Sequence, residues 1–164
     1  MSQELISVII PCFNRSKLLK RAVQSVLSQD YSNFELILVD DFSTESLEEV
    51  EKLVSDAGQT YVRHEANLGV AAARNTGITK SKGQFLAFLD SDDEWASDKL
   101  SNHIEWQRQN PNILISQTQE VWVRNGVRVN RGKKYIEPSG DAFQASVDNC
   151  CISCLLYTSP SPRD

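Results

Sequence analysis

Four carboxylates fall within five positions at the end of FLAFLDSDDEW, Phe85 to Trp95: Asp90, Asp92, Asp93 and Glu94. Like charges this close repel, so a soluble domain gains nothing from crowding them unless something relieves the repulsion. Hard oxygen ligands at a strand end suit Mg²⁺ or Mn²⁺, which keep water and bind substrate phosphates through one or two carboxylates. A divalent ion would supply the missing positive charge. The plainer account is a solvated acidic turn favouring the N-terminus of the next helix. Asp98 fits that account, whereas the apolar run FLAFLD presents Asp90, Asp92 and Asp93 from a buried strand. Two further clusters end apolar runs in the same way: Phe13-Asn14 after ISVIIPC, and Asp40-Asp41 after FELILV.

What must position these groups is a set of strands whose ends share one edge. LISVIIP is short, β-rich and nearly all apolar, the pattern of a strand covered on both faces. KLLKRAVQSVLSQ carries Leu18, Leu19, Ala22, Val23, Val26 and Leu27 on one helical stripe. FELILVDD is a second strand. STESLEEVEKLVSDAG is a second helix, with Ser46 and Glu49 spaced as a capping box. TYVRHE, VAAARNTGITKS, QFLAFLD and SDKLSNHIEWQRQNP continue the alternation as strand, helix, strand and helix. Such alternation predicts an α/β fold with a mostly parallel sheet flanked by helices, and ligands at the carboxyl ends of the strands. Residues far apart in sequence would converge there.

After Pro111 the rhythm changes. Asn125-Gly126 separates two alternating runs and predicts a β-hairpin, with Trp122, Val127 and Val129 on its buried or partner-facing side. The final residues, CLLYTSPSPRD, have no periodicity and a composition suited to a disordered segment or a non-native scar. One domain is therefore expected over residues 1–153, with 154–164 set outside it.

Composition narrows the function classes. The chain has 164 residues, 17 Lys and Arg against 22 Asp and Glu, and a net charge of −5. Nucleic-acid binding is not expected, because phosphate neutralisation needs clustered cations. No apolar stretch reaches the ~20 residues of a membrane span, and the N-terminus lacks the pattern of a signal peptide. A cytoplasmic location is expected. Of Cys12, Cys150, Cys151 and Cys154, the last two have C-x-x-C spacing but no second pair, so thiols are expected rather than a zinc site. His64 and His103 have no acid or nucleophile at useful spacing and read as ordinary surface or strand-end residues.

A D-x-D pair alone is a weak signal. In combination, VIIPCFNR, ELILVDDFST, NLGVAAARNTGI and FLAFLDSDDEW, in this order and spacing, resemble the inverting GT-A glycosyltransferases of family 2 from about Ile6 to Trp95, and more loosely to about Ser153. The resemblance implies a nucleotide-diphosphate sugar donor, UDP- or dTDP-linked, a Mn²⁺ or Mg²⁺ cofactor, and an unknown sugar, lipid or protein acceptor. Peripheral association with the inner face of a membrane is compatible with it.

Roles follow by position. Pro11, Phe13, Asn14, Asp40, Asp41, Arg74, Asn75, Asp90 and Ser91 would line the nucleotide site. The Phe13 ring would lie against the base, unless it simply packs in the core. Asp41 would accept the imide N–H of the base, with Asp40 supporting it, unless the pair only caps the next turn. Arg74 and Asn75 would face base or diphosphate; a surface salt bridge is the other account of Arg74. Asp90 would touch the ribose, and Asp92 would hold the metal. Gly69 and Gly77 read as turn and close-packing residues. Trp95 either contacts sugar or packs its loop.

An inverting transferase also needs a carboxylate base for the acceptor hydroxyl. After Asp93 the candidates are Glu94, Asp98, Glu105, Glu120, Glu137, Asp141 and Asp148. None stands in the context the resemblance calls for, so the base is expected to lie outside this chain, which would bind donor without transferring sugar. Two other readings stay open: a non-catalytic sugar-nucleotide binding module, and a phosphotransferase of the haloacid-dehalogenase type. The latter places its D-x-D after the first strand, whereas here it follows the fourth.

Overall fold

The computed structural model describes residues 4–124, 126–129, 140 and 156–158. Strand and helix alternate as the sequence predicts: β1 (Ile6–Cys12), α1 (Ser16–Leu27), β2 (Phe34–Asp40), α2 (Glu48–Asp56), β3 (Thr60–Arg63), α3 (Val70–Lys80), β4 (Phe85–Phe88) and α4 (Lys99–Gln109). The strands β5 (Ile115–Ser116), β6 (Trp122–Arg124), β7 (Val127–Val129) and β8 (Leu156–Thr158) follow.

Strand order in the main sheet is β3-β2-β1-β4-β8-β5, and β3, β2, β1 and β4 run parallel. The chain steps outward from β1 to β3, then returns to the other side of β1 for β4. Right-handed crossovers force the intervening helices onto opposite faces when that direction reverses. The packing agrees. Ile6, Val8, Ile10, Leu36 and Leu38 meet α1, α2 and α4 through Leu19, Val23, Val26, Val50, Val54, Leu100 and Ile104. Ile9, Ile37, Val39, Leu86 and Phe88 meet Ala73 of α3 on the other face. Strand alternation alone sorts these residues, and it explains why every residue of β1 is buried.

Pairing of β1 with β4 stops at Ile9↔Phe88, whereas β1 stays paired to β2 through Cys12↔Asp40. The sheet is thus open between β1 and β4 at its carboxyl edge, the crevice where open α/β sheets bind ligands. It also lets Pro11 sit in a central strand, since its missing N–H is not required by a second neighbour.

Two glycines fulfil their expected parts. A Cβ on Gly77 would lie 2.4 Å from Cγ2 of Ile9, so glycine lets α3 approach β1 closely. Gly69, at φ +91, turns the chain into α3. The capping box at Ser46 and Glu49 does not form. α2 starts at Glu48 behind Leu47, with no side-chain cap. Glu49 is drawn instead to Lys20 of α1 at 3.0 Å, and the preceding loop is tied to the β1–α1 loop.

β6 and β7 form the expected hairpin, Trp122 opposite Val129, with Gly126 at φ +74; Asn125 lies outside the described residues. Trp122 and Val127 are exposed and Val129 half-buried, so this face is not buried in the core. β8 falls within the 154–164 stretch expected to lie outside the domain. It pairs antiparallel with β4 and β5, extending the sheet past residue 153. The physical reason is that β4 offers an unpaired edge of N–H and C=O groups, and Leu-Tyr-Thr suits a strand.

Cys12 is a buried free thiol whose ionisation is pushed up by burial and by Asp40. On α4, Lys99 Nζ donates to Nδ1 of buried His103 at 3.0 Å and lies 5.3 Å from the centre of the Trp95 ring. Burial, reinforced by Lys99, pushes the His103 pKa down from 6.5 to about 3. The unfolded chain therefore takes up this proton first, and stability falls as pH drops from about 6.5 towards 3, by at most about 1.4 kcal/mol per pH unit. In urea titrations over that window, His103→Gln is expected to show a shallower decline than the parent; parallel declines would refute the assignment.

Candidate functional site

Each cluster predicted from sequence arrives at the carboxyl edge of β1, β2 or β4, but neighbouring residues play different parts. Asp40 and Asp41 show the split. Alternation sends Asp40 to the side of Leu36 and Leu38, and Asp41 to the side of Ile37 and Val39, facing α3.

Asp40 is 0% exposed. Its Oδ2 accepts from the Tyr61 hydroxyl at 2.9 Å and from Arg63 at 2.5 Å, and its Oδ1 from the Ser43 amide at 2.8 Å. No face is left for a ligand, so its contribution to the site is support.

Asp41 is 3% exposed. Its Oδ1 accepts from the Leu68 amide at 2.9 Å and lies 2.7 Å from Nδ1 of His64, while among the described residues Oδ2 accepts from the Gly69 amide alone, at 2.7 Å. Burial pushes its pKa up, but the Leu68 amide, His64 and the Gly69 amide outweigh that and hold the carboxyl below the ordinary range.

Asn14, at φ +51, is a clamp between loops. Its Oδ1 accepts from the Thr44 amide at 2.7 Å, the Thr44 hydroxyl at 3.1 Å and the Glu45 amide at 3.2 Å, and its own amide donates to Ser43 Oγ at 2.9 Å. Pro11 is buried inside β1. Phe13 is 43% exposed, so it is not a core residue and its ring stands open at the strand end.

Phe42, equally exposed at 43%, was not singled out in the sequence. It takes φ +68, a conformation rare for an aromatic residue, and the Arg63 guanidinium lies 5.7 Å from its ring centre. Its place directly after Asp40-Asp41 was the available signal.

The acidic turn is matched by arginines. Arg15 Nη1 donates to Asp92 Oδ2 at 2.6 Å, Arg21 Nε pairs with Glu94 at 2.9 Å, and Arg74 Nη2 with Asp90 Oδ1 at 2.7 Å. Arg21 Nη2 also donates to the Asp92 carbonyl at 3.3 Å. Three elements thus answer the repulsion in the free protein. Arg74 makes the salt bridge of one account, and it also carries a buried Nε with no hydrogen-bond partner among the described residues. Ser91 is half-buried in the turn and Asn75 is exposed on α3. Trp95 packs its loop against the core, its amide donating to Ser25 Oγ at 3.1 Å.

A metal fits this edge in a specific way. Asp92 and Asp90 each commit one oxygen to an arginine and are half-exposed. Among the described residues no three His, Cys, Asp or Glu side chains gather closely enough to cage an ion. A hard cation would therefore draw part of its coordination from phosphate and water, as Mg²⁺ usually does. Of the acids weighed as a base, Glu94 pairs with Arg21, and Glu137, Asp141 and Asp148 lie outside the described residues.

His64, which reads from sequence as an ordinary surface or strand-end residue, is instead largely buried at the site. Its ring is 9% exposed and bridges Asp41 and Thr76 Oγ1, the latter at 2.9 Å. Its acid partner is 23 positions away, and only strand pairing brings them together.

Similarity to known proteins agrees with this geometry. The pattern of Glycosyl transferase family 2 matches residues 7–156. An uncharacterized glycosyltransferase of Rickettsia bellii is 36% identical over 154 residues, covering 90% of this chain and 21% of its own. The Escherichia coli UDP-Glc:alpha-D-GlcNAc-diphosphoundecaprenol beta-1,3-glucosyltransferase WfgD is 32% identical over 155 residues, covering 94% of this chain and 60% of its own. This chain thus spans less than two thirds of either relative.

Among solved structures, Staphylococcus aureus TarS in complex with UDP-GlcNAc aligns with TM-score 0.60 at 27% identity, over 63% of this chain and 31% of TarS. The Pyrobaculum calidifontis mannosyltransferase PcManGT, in complex with GDP-Man and Mn²⁺, aligns with TM-score 0.62 at 26% identity, over 67% and 34%. No helix among the described residues is long and apolar enough to cross a membrane. A parallel sheet that opens between β1 and β4, with this acid-and-arginine edge and these similarities, places the chain in glycosyl transferase family 2, with the GT-A fold.

Proposed function

We propose that this chain is the donor-binding part of an inverting glycosyltransferase that uses a UDP- or dTDP-linked sugar with Mn²⁺ or Mg²⁺. The observation that carries it is the convergence of Phe13, Asp41, Arg74, Asp90 and Asp92 on one strand edge, where Arg74 holds a buried N–H donor with no partner among the described residues. A buried, unpaired guanidinium nitrogen costs free energy, and a ligand oxygen is the natural partner to relieve it. TarS, the neighbour bound to UDP-GlcNAc, points to the same class of donor.

In this reading the open ring of Phe13 stacks on the base. Asp41 Oδ2 accepts the imide N–H, which separates uracil and thymine from cytosine. Asp90 contacts the ribose, and Arg74 with Asn75 faces the diphosphate. Asp92 would hold the divalent ion, which offsets diphosphate charge and acts as a Lewis acid toward the departing nucleoside diphosphate. Transfer joins an acceptor hydroxyl oxygen to the anomeric carbon as the bond to the diphosphate breaks, and a carboxylate outside the assigned residues takes the hydroxyl proton. The acceptor is unassigned, and work at the inner face of a membrane, from the cytoplasm, is compatible with this scheme.

A calorimetric panel of UDP, dTDP, GDP and CDP, each with Mn²⁺ and with chelator, tests the proposal. Metal-dependent binding of UDP or dTDP is expected, with CDP weaker. PcManGT carries GDP-Man, so a preference for GDP would overturn the assignment of base, and absence of all binding would overturn the function.

A further inference from the structure

We infer that His64 is a positioning residue for the carboxylate of Asp41, and that it links the base-recognising end of the pocket to α3. This rests on the donor-binding role proposed above. The link begins in strand register. Parallel pairing sets Asp40 beside Arg63, and the His64 amide then donates to the Asp40 carbonyl at 2.9 Å. The next residue of each strand, Asp41 and His64, must therefore lie side by side at the sheet edge.

The hydrogen bonds are unequal, and that inequality is the substance of the inference. Among the described residues, Oδ1 of Asp41 takes two donors, the Leu68 amide and the His64 ring, whereas Oδ2 takes one, the Gly69 amide. A carboxylate oxygen has two lone pairs. His64 thus fills Oδ1, fixes the plane of the group, and leaves Oδ2 as the oxygen with room for one ligand N–H. The carboxylate only accepts, so the Asp41 contact calls for an N–H at Nδ1, and the Thr76 hydroxyl can serve the far side of the ring. With Nδ1–H donating to Asp41, Nε2 accepts from the Thr76 hydroxyl at 2.9 Å. Thr76 lies in α3 directly after Arg74 and Asn75, so the ring ties the helix bearing the diphosphate-facing residues to the acceptor for the base. At 9% exposure the ring is shielded from water that would compete for either bond. A carboxylate–imidazole–hydroxyl chain therefore runs from the end of β2, past the end of β3, to the middle of α3.

The test compares UDP with inorganic diphosphate, each with Mn²⁺, on the parent, His64→Phe, His64→Asn and Thr76→Val, with circular dichroism to verify folding. His64→Phe fills the space without a donor. It is expected to weaken UDP about tenfold, the lower end for a bond to a charged group, and to leave diphosphate within about twofold. His64→Asn, which restores an N–H, should recover most of the UDP preference. Thr76→Val removes only the distal bond and should lose about threefold toward UDP, keeping a result in hand should His64→Phe not fold. Equal losses for UDP and diphosphate, or an unchanged UDP preference in a folded His64→Phe or in Thr76→Val, would overturn the inference while leaving donor binding intact. If the parent itself shows no preference for UDP over diphosphate, the donor-binding proposal fails, and this inference with it.

Discussion

Asp92→Asn is expected to leave UDP binding nearly indifferent to Mn²⁺, where the parent binds at least about tenfold tighter with the ion than with chelator, a difference of about 1.4 kcal/mol. The side chain keeps its shape and loses its charge. Folding should be unaffected, because the side-chain partner weakened among the described residues is Arg15, in a pair about half-exposed on both sides, and such surface pairs contribute about 0–1 kcal/mol. The loss should therefore fall on the metal response. Isothermal titration of both proteins, with and without Mn²⁺, reads it directly. A variant that retains the parental ratio would show that the ion is held elsewhere.

Asp40→Ala is expected to destabilise the fold by roughly 3 kcal/mol, the cost of stranding the partners of a buried charge. The Tyr61 hydroxyl, the Ser43 amide and the Arg63 guanidinium lose their acceptor together. Arg63 is part-exposed and can turn to water, which keeps the value at the low end of the range. Against a typical domain stability of about 5–15 kcal/mol this is a large fraction. Urea midpoints at an unchanged slope would measure it. A loss below about 1 kcal/mol would mean that Asp40 is not the post that holds the β2–α2 loop.

The strands were legible because burial on both faces leaves an unmistakable apolar run, as in Ile6 to Ile10 and Leu36 to Val39. The hairpin was legible because Asn-Gly permits the backbone that a tight turn requires. The three strand-end clusters were legible for the same reason, since they stand where those runs stop. The division of labour between Asp40 and Asp41 was not. It depends on which face each carboxylate takes and on what α3 brings there. His64 was invisible to local pattern because its meaning comes from the register of β2 against β3. The capping box misled because Glu49 had a better partner on another helix, Lys20. The arginines opposite the acidic turn were hidden likewise. Arg15 and Arg21 sit 77 and 71 positions from Asp92, and no periodicity connects them.

The pairing of Arg15, Arg21 and Arg74 with Asp92, Glu94 and Asp90 answers three of the four carboxylates in this turn before anything binds, and leaves it close to electrical balance. A divalent cation alone would upset that balance, because it adds two positive charges beside three guanidinium groups. A nucleoside diphosphate alone would tip it the other way. Together the two nearly cancel. If the proposed function holds, the site is expected to behave as an ion exchanger that accepts a neutralised salt more readily than either of its ions. Metal and nucleotide are then expected to enter as a cooperative pair, and titrating Mn²⁺ without nucleotide should give a nearly flat trace.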